Sequence, residues 1–201
     1  MKVYLYDHLE RIDEERLDQW LPLLPEWRRE VAMRYRHLAG RRESVMAYLL
    51  LQDSLRRDWG IDSVPPFSFQ ENGKPFLAEY PDVHFSLSHC RTAVLCVVHD
   101  KPVGADVEYI RKARPELVRY TMNVDEEREI FSSPDPDLAF TRLWTRKEAV
   151  VKLTGEGVGS NMHDLLLPSR LKREGILLST LPGPDYVYSF AHYDDSSGIN
   201  R

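Results

Sequence analysis

Asp106 and Glu108 stand two residues apart in the run Val103-Gly104-Ala105-Asp106-Val107-Glu108. On a strand, residues i and i+2 share a face, so both carboxylates crowd one surface while Val107 turns into the core. Like charges that close call for a cation or a proton. A solvated strand edge also accounts for the pair, and what tips the balance is a third acid. Glu148 lies in Trp144-Thr145-Arg146-Lys147-Glu148-Ala149-Val150-Val151-Lys152, with Lys152 four residues on and therefore on the same helical face. The spacing of Glu148 and Lys152 is also that of an ordinary surface ion pair. Taken together, two strand carboxylates, one helix carboxylate and nearby lysines compose a donor set for Mg²⁺ on a phosphate-bearing substrate. Hard oxygen ligands suit Mn²⁺ equally.

Other reactive groups point less clearly. Cys90 follows His89, but adjacent strand residues face opposite sides, which places the pair poorly for proton transfer. Cys90 and Cys96, six apart on a strand-like run, share a face yet lie too far apart to bridge, and read as buried reduced thiols. The cysteines and the seven histidines show neither zinc-finger nor His-Glu-x-x-His spacing, and no Walker loop or Gly-x-Gly-x-x-Gly occurs.

The elements that must hold these residues follow from the pattern. Residues 2 to 6 alternate as a short strand, and a Leu-rich helical stretch follows around Leu17, Trp20 and Leu21. Arg28, Arg29, Arg34, Arg36, Arg41 and Arg42 then lead into a strong apolar helix through Val45, Leu49 and Leu55, with Gly60 as its stop. Asn72-Gly73-Lys74-Pro75 marks a turn, and residues 83 to 98 read as strand with a bend at Arg91-Thr92. Asp100-Lys101-Pro102 turns the chain into a strand from Val103 to Ile110. Helical sequence returns around 117 to 120 and 126 to 131, breaks at 132 to 137, and resumes from Leu138 to about Leu153, closed by Gly155 and Gly157. Pro182-Gly183-Pro184 separates two final strand-like runs, the second from Tyr186 to Tyr193. The tail from Asp194 is expected to fray.

Two alignments suggest an internal repeat: Phe85-Ser86-Leu87-Ser88-His89-Cys90 with Tyr188-Ser189-Phe190-Ala191-His192-Tyr193, and Arg42-Glu43-Ser44-Val45 with Lys147-Glu148-Ala149-Val150. The expected fold is α+β, a pseudo-dimer of two similar halves, each a small, mostly antiparallel sheet packed on a long helix. The boundary falls near residue 100, giving an N-terminal half 1-100 and a C-terminal half 101-201. A net charge of -5 argues against broad nucleic-acid binding, which needs Lys and Arg to neutralise phosphates. No apolar run is long enough for a transmembrane helix, and the first residues lack a signal-peptide core, so a cytoplasmic protein away from membranes is expected.

The blocks Asn72-Gly73-Lys74-Pro75, Phe85-Ser86-Leu87-Ser88-His89-Cys90, Val103-Gly104-Ala105-Asp106-Val107-Glu108 and Phe140-x3-Trp144-x2-Lys147-Glu148-Ala149-x2-Lys152-x2-Gly155-x-Gly157 resemble, in order, the signatures of Sfp-type 4'-phosphopantetheinyl transferases. The Arg-rich region at 34 to 42 is similar to the family's amino-terminal half. Cys90 departs from a frequent Ser and Ala105 from a frequent Ile or Val; neither removes an implied ligand.

The resemblance implies transfer of the phosphopantetheine arm of coenzyme A to a serine of an apo acyl or peptidyl carrier protein, releasing adenosine 3',5'-bisphosphate. It implies Mg²⁺ on Asp106, Glu108 and Glu148, with Glu148 or a metal-bound water as base and Lys152 stabilising or protonating the leaving group. Ser88 and His89 would grip the coenzyme's 3'-phosphate, with Lys74, Arg34, Arg41 and Arg42 as further phosphate and adenine-side contacts. Arg111, Lys112, Arg114 and Arg119 would steer the acidic carrier. Duplication in one chain favours a monomer. The competing readings are a noncatalytic module that binds coenzyme A or a carrier protein, and a Mg²⁺-dependent phosphohydrolase.

Overall fold

The computed structural model describes residues 1–157 and 161–194. The chain opens with β1 (Lys2–Tyr6), then α1 (Glu14–Trp20), α2 (Glu26–Met33) and α3 (Leu38–Trp59), followed by a small ladder of β2 (Ser68–Phe69) on β3 (Pro75–Phe76). β4 (His84–His89) and β5 (Val94–His99) complete an antiparallel sheet in the order β1-β5-β4. After β6 (Val103–Tyr109) come α4 (Pro115–Thr121), α5 (Val124–Ser132), α6 (Pro136–Thr154) and α7 (Pro168–Glu174). β7 (Ile176–Pro182) and β8 (Tyr186–Tyr193) join β6 in a second antiparallel sheet, ordered β6-β8-β7. The α+β class holds, with small antiparallel sheets and long helices.

β5 is the spine. Its run Val94-Leu95-Cys96-Val97-Val98-His99 is buried throughout because both faces are covered, which explains apolar residues without alternation. Val94, Cys96 and Val98 pack under α3 with Tyr48, Leu51 and Leu55. Leu95 and Val97 pack the other way, against Val103, Ala105 and Val107 of β6. The two sheets therefore share one apolar seam, and β6 lies along it.

The helix ends follow local chemistry. α3 stops at Gly60 and α6 at Gly155, both left-handed at φ +66 and +76, a conformation that only glycine adopts without strain. α6 begins two residues earlier than its apolar periodicity predicts, since the Asp135 side chain caps it and Pro136 is pre-set for the first turn.

The first alignment of the repeat sets an edge strand beside a central one. Phe85 to Cys90 covers β4, the second strand and an edge of its sheet, whereas Tyr188 to Tyr193 lies on β8, the last strand and the centre of its own. The helical alignment pairs the two long helices, but Arg42 lies near the start of α3 and Lys147 well inside α6. The described residues end at Asp194, so the fraying expected beyond it lies outside them.

Candidate active site

Gly104 brings β6 and α6 together. A Cβ on Gly104 would stand 2.1 Å from the Ala149 carbonyl oxygen and 2.3 Å from the Leu153 nitrogen, so only glycine admits the helix backbone at this distance. Glu148, beside Ala149, and Lys152, beside Leu153, are thereby delivered to the β6 carboxylates. Lys152 Nζ donates to Asp106 Oδ1 at 2.7 Å. Asp106 is buried, and its second oxygen, Oδ2, is shielded from solvent with no hydrogen-bond partner. Glu108 Oε1 accepts from Trp144 Nε1 at 3.3 Å and from Arg111 at 3.2 Å. Desolvation, and then the Asp106 charge, push the carboxyls of both Glu108 and Glu148 above the usual range.

Asp106 thus repels both Glu108 and Glu148 in a partly buried space. Among the described residues no three His, Cys, Asp or Glu side chains make a ready-formed cage, and Lys152 is the cation that now compensates Asp106. The donors nonetheless suit a hard divalent ion: they are all carboxylate oxygens, one of them orphaned and two with raised proton affinity.

The family resemblance groups Ser88 with His89, and the strand separates them. Ser88 Oγ donates to Asp106 Oδ1 at 2.8 Å and accepts from the Val107 N–H at 3.2 Å. His89 faces the other way, where Nδ1 lies 2.9 Å from Glu43 Oε2 on α3. The Ser88 hydroxyl is therefore committed to a carboxylate, and only His89 remains at the basic end of α3. There Arg41 Nε donates to the Tyr35 carbonyl at 2.9 Å, Arg42 Nε is buried without a partner, and Arg34 is exposed at the end of α2. No side chain caps the α3 N-terminus and no acid lies in its first turn, which suits an anion.

Lys74 is engaged within the protein. Its ammonium donates to the carbonyls of Val103 at 3.0 Å and Leu153 at 3.3 Å, and burial lowers its pKa to about 8. Beside it, the Asn72 side chain packs so closely on Gly155 that a Cβ there would meet Asn72 nitrogen at 2.1 Å. The Asn72-Gly73-Lys74 turn hence caps the end of α6, and with Leu87, Lys152 and Gly155 it lines a cleft of about 250 Å³.

Lys147, beside Glu148, carried no assigned role on sequence. It is fully buried and donates to the Thr121 carbonyl at 2.9 Å, the Met162 carbonyl at 2.6 Å and Glu126 Oε2 at 2.6 Å. Glu126 also closes the capping box of α5 with Asn123, so one lysine pins α6 to α4, α5 and the turn at Met162–Asp164. Its position on the helix face opposite the acids was readable from the 3.6-residue period; its partners were not. Of the basic residues after β6, Arg111 is held by Glu108 and lies over the Trp144 ring, Lys112 pairs with Asp137, and Arg119 with Glu127. Cys96 is fully buried beside Ser54, and desolvation pushes its thiol up to about 12, which leaves it inert.

Comparison with known proteins agrees with this architecture. The model of the 4'-phosphopantetheinyl transferase superfamily matches residues 102–195. The chain is 28% identical to 4'-phosphopantetheinyl transferase psf-1 of Bacillus pumilus, over 92% of this chain and 81% of that protein. It is 24% identical to 4'-phosphopantetheinyl transferase Sfp of Bacillus subtilis strain 168, over 94% and 87% respectively. It is 32% identical to 4'-phosphopantetheinyl transferase AcpT of Escherichia coli O157:H7, over 59% of this chain and 67% of that one. The chain belongs to the 4'-phosphopantetheinyl transferase superfamily. Within it, the relatives that match over most of its length are of the Sfp type.

Proposed function

We propose that this transferase moves the phosphopantetheine arm of coenzyme A to a serine hydroxyl of an apo acyl or peptidyl carrier protein and releases adenosine 3',5'-bisphosphate. The observation that carries the proposal is the meeting of Asp106, Glu108, Glu148 and Lys152 where β6 touches the last turns of α6. Asp106, Glu108 and Glu148 would hold Mg²⁺ or Mn²⁺, which supplies positive charge against the pyrophosphate. The serine oxygen bonds to the pantetheine-side phosphorus as the anhydride P–O bond breaks, and the bonding pair leaves on the bisphosphate oxygen. Glu148, on the α6 face that meets β6, would take the serine proton. Lys152, now on Asp106, offers its N–H to the leaving oxygen.

His89, Arg34, Arg41 and Arg42 would bind the 3'-phosphate at the uncapped start of α3, with the unpartnered Arg42 Nε as a free donor. The cleft beside Lys74 and Lys152 would take the adjoining part of the coenzyme. Arg111, Lys112, Arg114 and Arg119 form the rim that meets the carrier, weakened by their acidic neighbours.

The two halves read as a duplication with its boundary near residue 100. Each runs strand, long helix, two strands, with the last strand in the middle of the sheet. Such a chain is expected to act as a monomer. No helix among the described residues is long and apolar enough to cross a membrane, and both cysteines are free, in keeping with a cytoplasmic enzyme.

Incubation with coenzyme A and Mg²⁺, with and without an apo carrier protein, tests the function. A phosphopantetheine mass on the carrier is the expected result. Bisphosphate release without carrier would favour a phosphohydrolase, and coenzyme binding without either product a noncatalytic module.

A further inference from the structure

The Phe85-Ser86-Leu87-Ser88-His89 strand carries two serines on the side facing β6, both buried. β6 is an edge strand of its sheet, and two of its N–H groups are met by serine hydroxyls instead of a backbone partner. The Ala105 N–H donates to Ser86 Oγ at 2.9 Å and the Val107 N–H to Ser88 Oγ at 3.2 Å. The serines are thus equivalent as seam residues, and they differ in one bond: Ser88 alone passes its own proton on, to Asp106 Oδ1. That oxygen also receives Lys152 at 2.7 Å, so both donors hold one oxygen of the carboxylate and the other, Oδ2, is left buried and unpartnered.

We propose that Ser88 is a positioning residue that, by holding Asp106 Oδ1, leaves Oδ2 available to a divalent cation that Asp106 would help to hold, and that it is not a ligand of the coenzyme's 3'-phosphate. The inference rests on the transferase reading for the identity of the site, but its test needs no turnover. An outer partner that orients a metal ligand typically changes metal affinity by about 10- to 100-fold when removed. A phosphate ligand would instead change the preference for a coenzyme that carries the phosphate.

The full chain and the variants Ser88→Ala, Ser86→Ala and His89→Ala are titrated with Mn²⁺, followed by electron paramagnetic resonance without substrate. Each is then titrated calorimetrically with coenzyme A and with 3'-dephospho-coenzyme A. Ser88→Ala is expected to weaken Mn²⁺ about tenfold and to keep the parent's ratio of the two coenzyme affinities. Ser86→Ala removes the matching seam bond and should bind Mn²⁺ within about twofold of the parent, since it has no bond to a carboxylate. His89→Ala should lower the coenzyme ratio and leave Mn²⁺ alone. Should Ser88→Ala not fold, Ser88→Cys, nearly the same size but a weak donor, carries the same expectation. Parent-like Mn²⁺ affinity in the serine variant, equal weakening by Ser86→Ala, or a lowered coenzyme ratio in the Ser88 variant would each overturn the proposal. A protein that never modifies a carrier would overturn the transferase reading and leave these binding results to stand by themselves.

Discussion

Glu148 is the residue where stability and chemistry oppose each other most directly. Burial and the Asp106 charge raise its carboxyl pKa, so the folded protein holds that proton more tightly than the unfolded chain. Stability therefore falls as pH climbs from the unfolded carboxyl range, about 4.3, through the raised folded value, and the penalty persists above it. Glu148→Gln removes the charge and keeps the shape. Without divalent ions at pH 7 it should melt roughly 2–4 °C above the parent, lose that advantage near pH 4, and transfer nothing. Thermal denaturation at the two pH values checks the first part; a parent that melts higher at pH 7 contradicts it. At this scale the sequence told which face each acid takes, because strand alternation and helical period are local. It could not tell that Ser88 meets Asp106, eighteen residues away on a strand of another sheet, because that pairing depends on how the sheets pack.

The elements are joined by contacts that a single atom can break. Gly104→Ala pushes a methyl into backbone atoms 2.1 and 2.3 Å away, which cannot rotate aside as a side chain can. It should destabilise the fold by about 3 kcal/mol or more and separate Lys152 from Asp106, seen as lost transfer activity even where the protein remains folded. Lys147→Met leaves Glu126 buried without its cation and should cost about 3–5 kcal/mol. Adding Glu126→Gln should return part of that in denaturant melts, and no recovery would mean that the ion pair is not what the lysine holds. The long helices were legible because of their apolar runs and because Gly60 and Gly155 mark their ends; the Asp135 cap that starts α6 was read as part of a break. α7 was not, since it buries none of its residues and so carries no apolar stripe, and the two-residue ladder of β2 and β3 is too short to show a period.

Across the whole molecule, the first half holds the second at Lys74, whose ammonium reaches from the turn between β2 and β3 to β6 and the end of α6. Its folded pKa of about 8 lies below the unfolded lysine value of about 10.4. Folding therefore expels a proton between those values: the desolvation penalty is full below about pH 8 and is relieved as pH rises towards 10.4. Relative to Lys74→Met, the parent should gain stability between pH 8 and 10 in urea titrations. A constant difference would mean that the lysine is not desolvated in this way. The α+β class and the site blocks were readable because each block is a short, local stretch of chain, one turn, strand or helix with its end. The register of the repeat was not, because a strand of six residues looks alike at the centre and at the edge of a small sheet.

The most direct test is the intact mass of an apo carrier protein after incubation with coenzyme A, Mg²⁺ and, in parallel, the parent, Asp106→Asn, Glu108→Gln and Glu148→Gln. The parent is expected to add one phosphopantetheine, and each amide variant none, with folding of every variant verified by circular dichroism. A parent that leaves diverse carriers unmodified, or an amide variant that modifies them at the parent's rate, would contradict the assignment of this site.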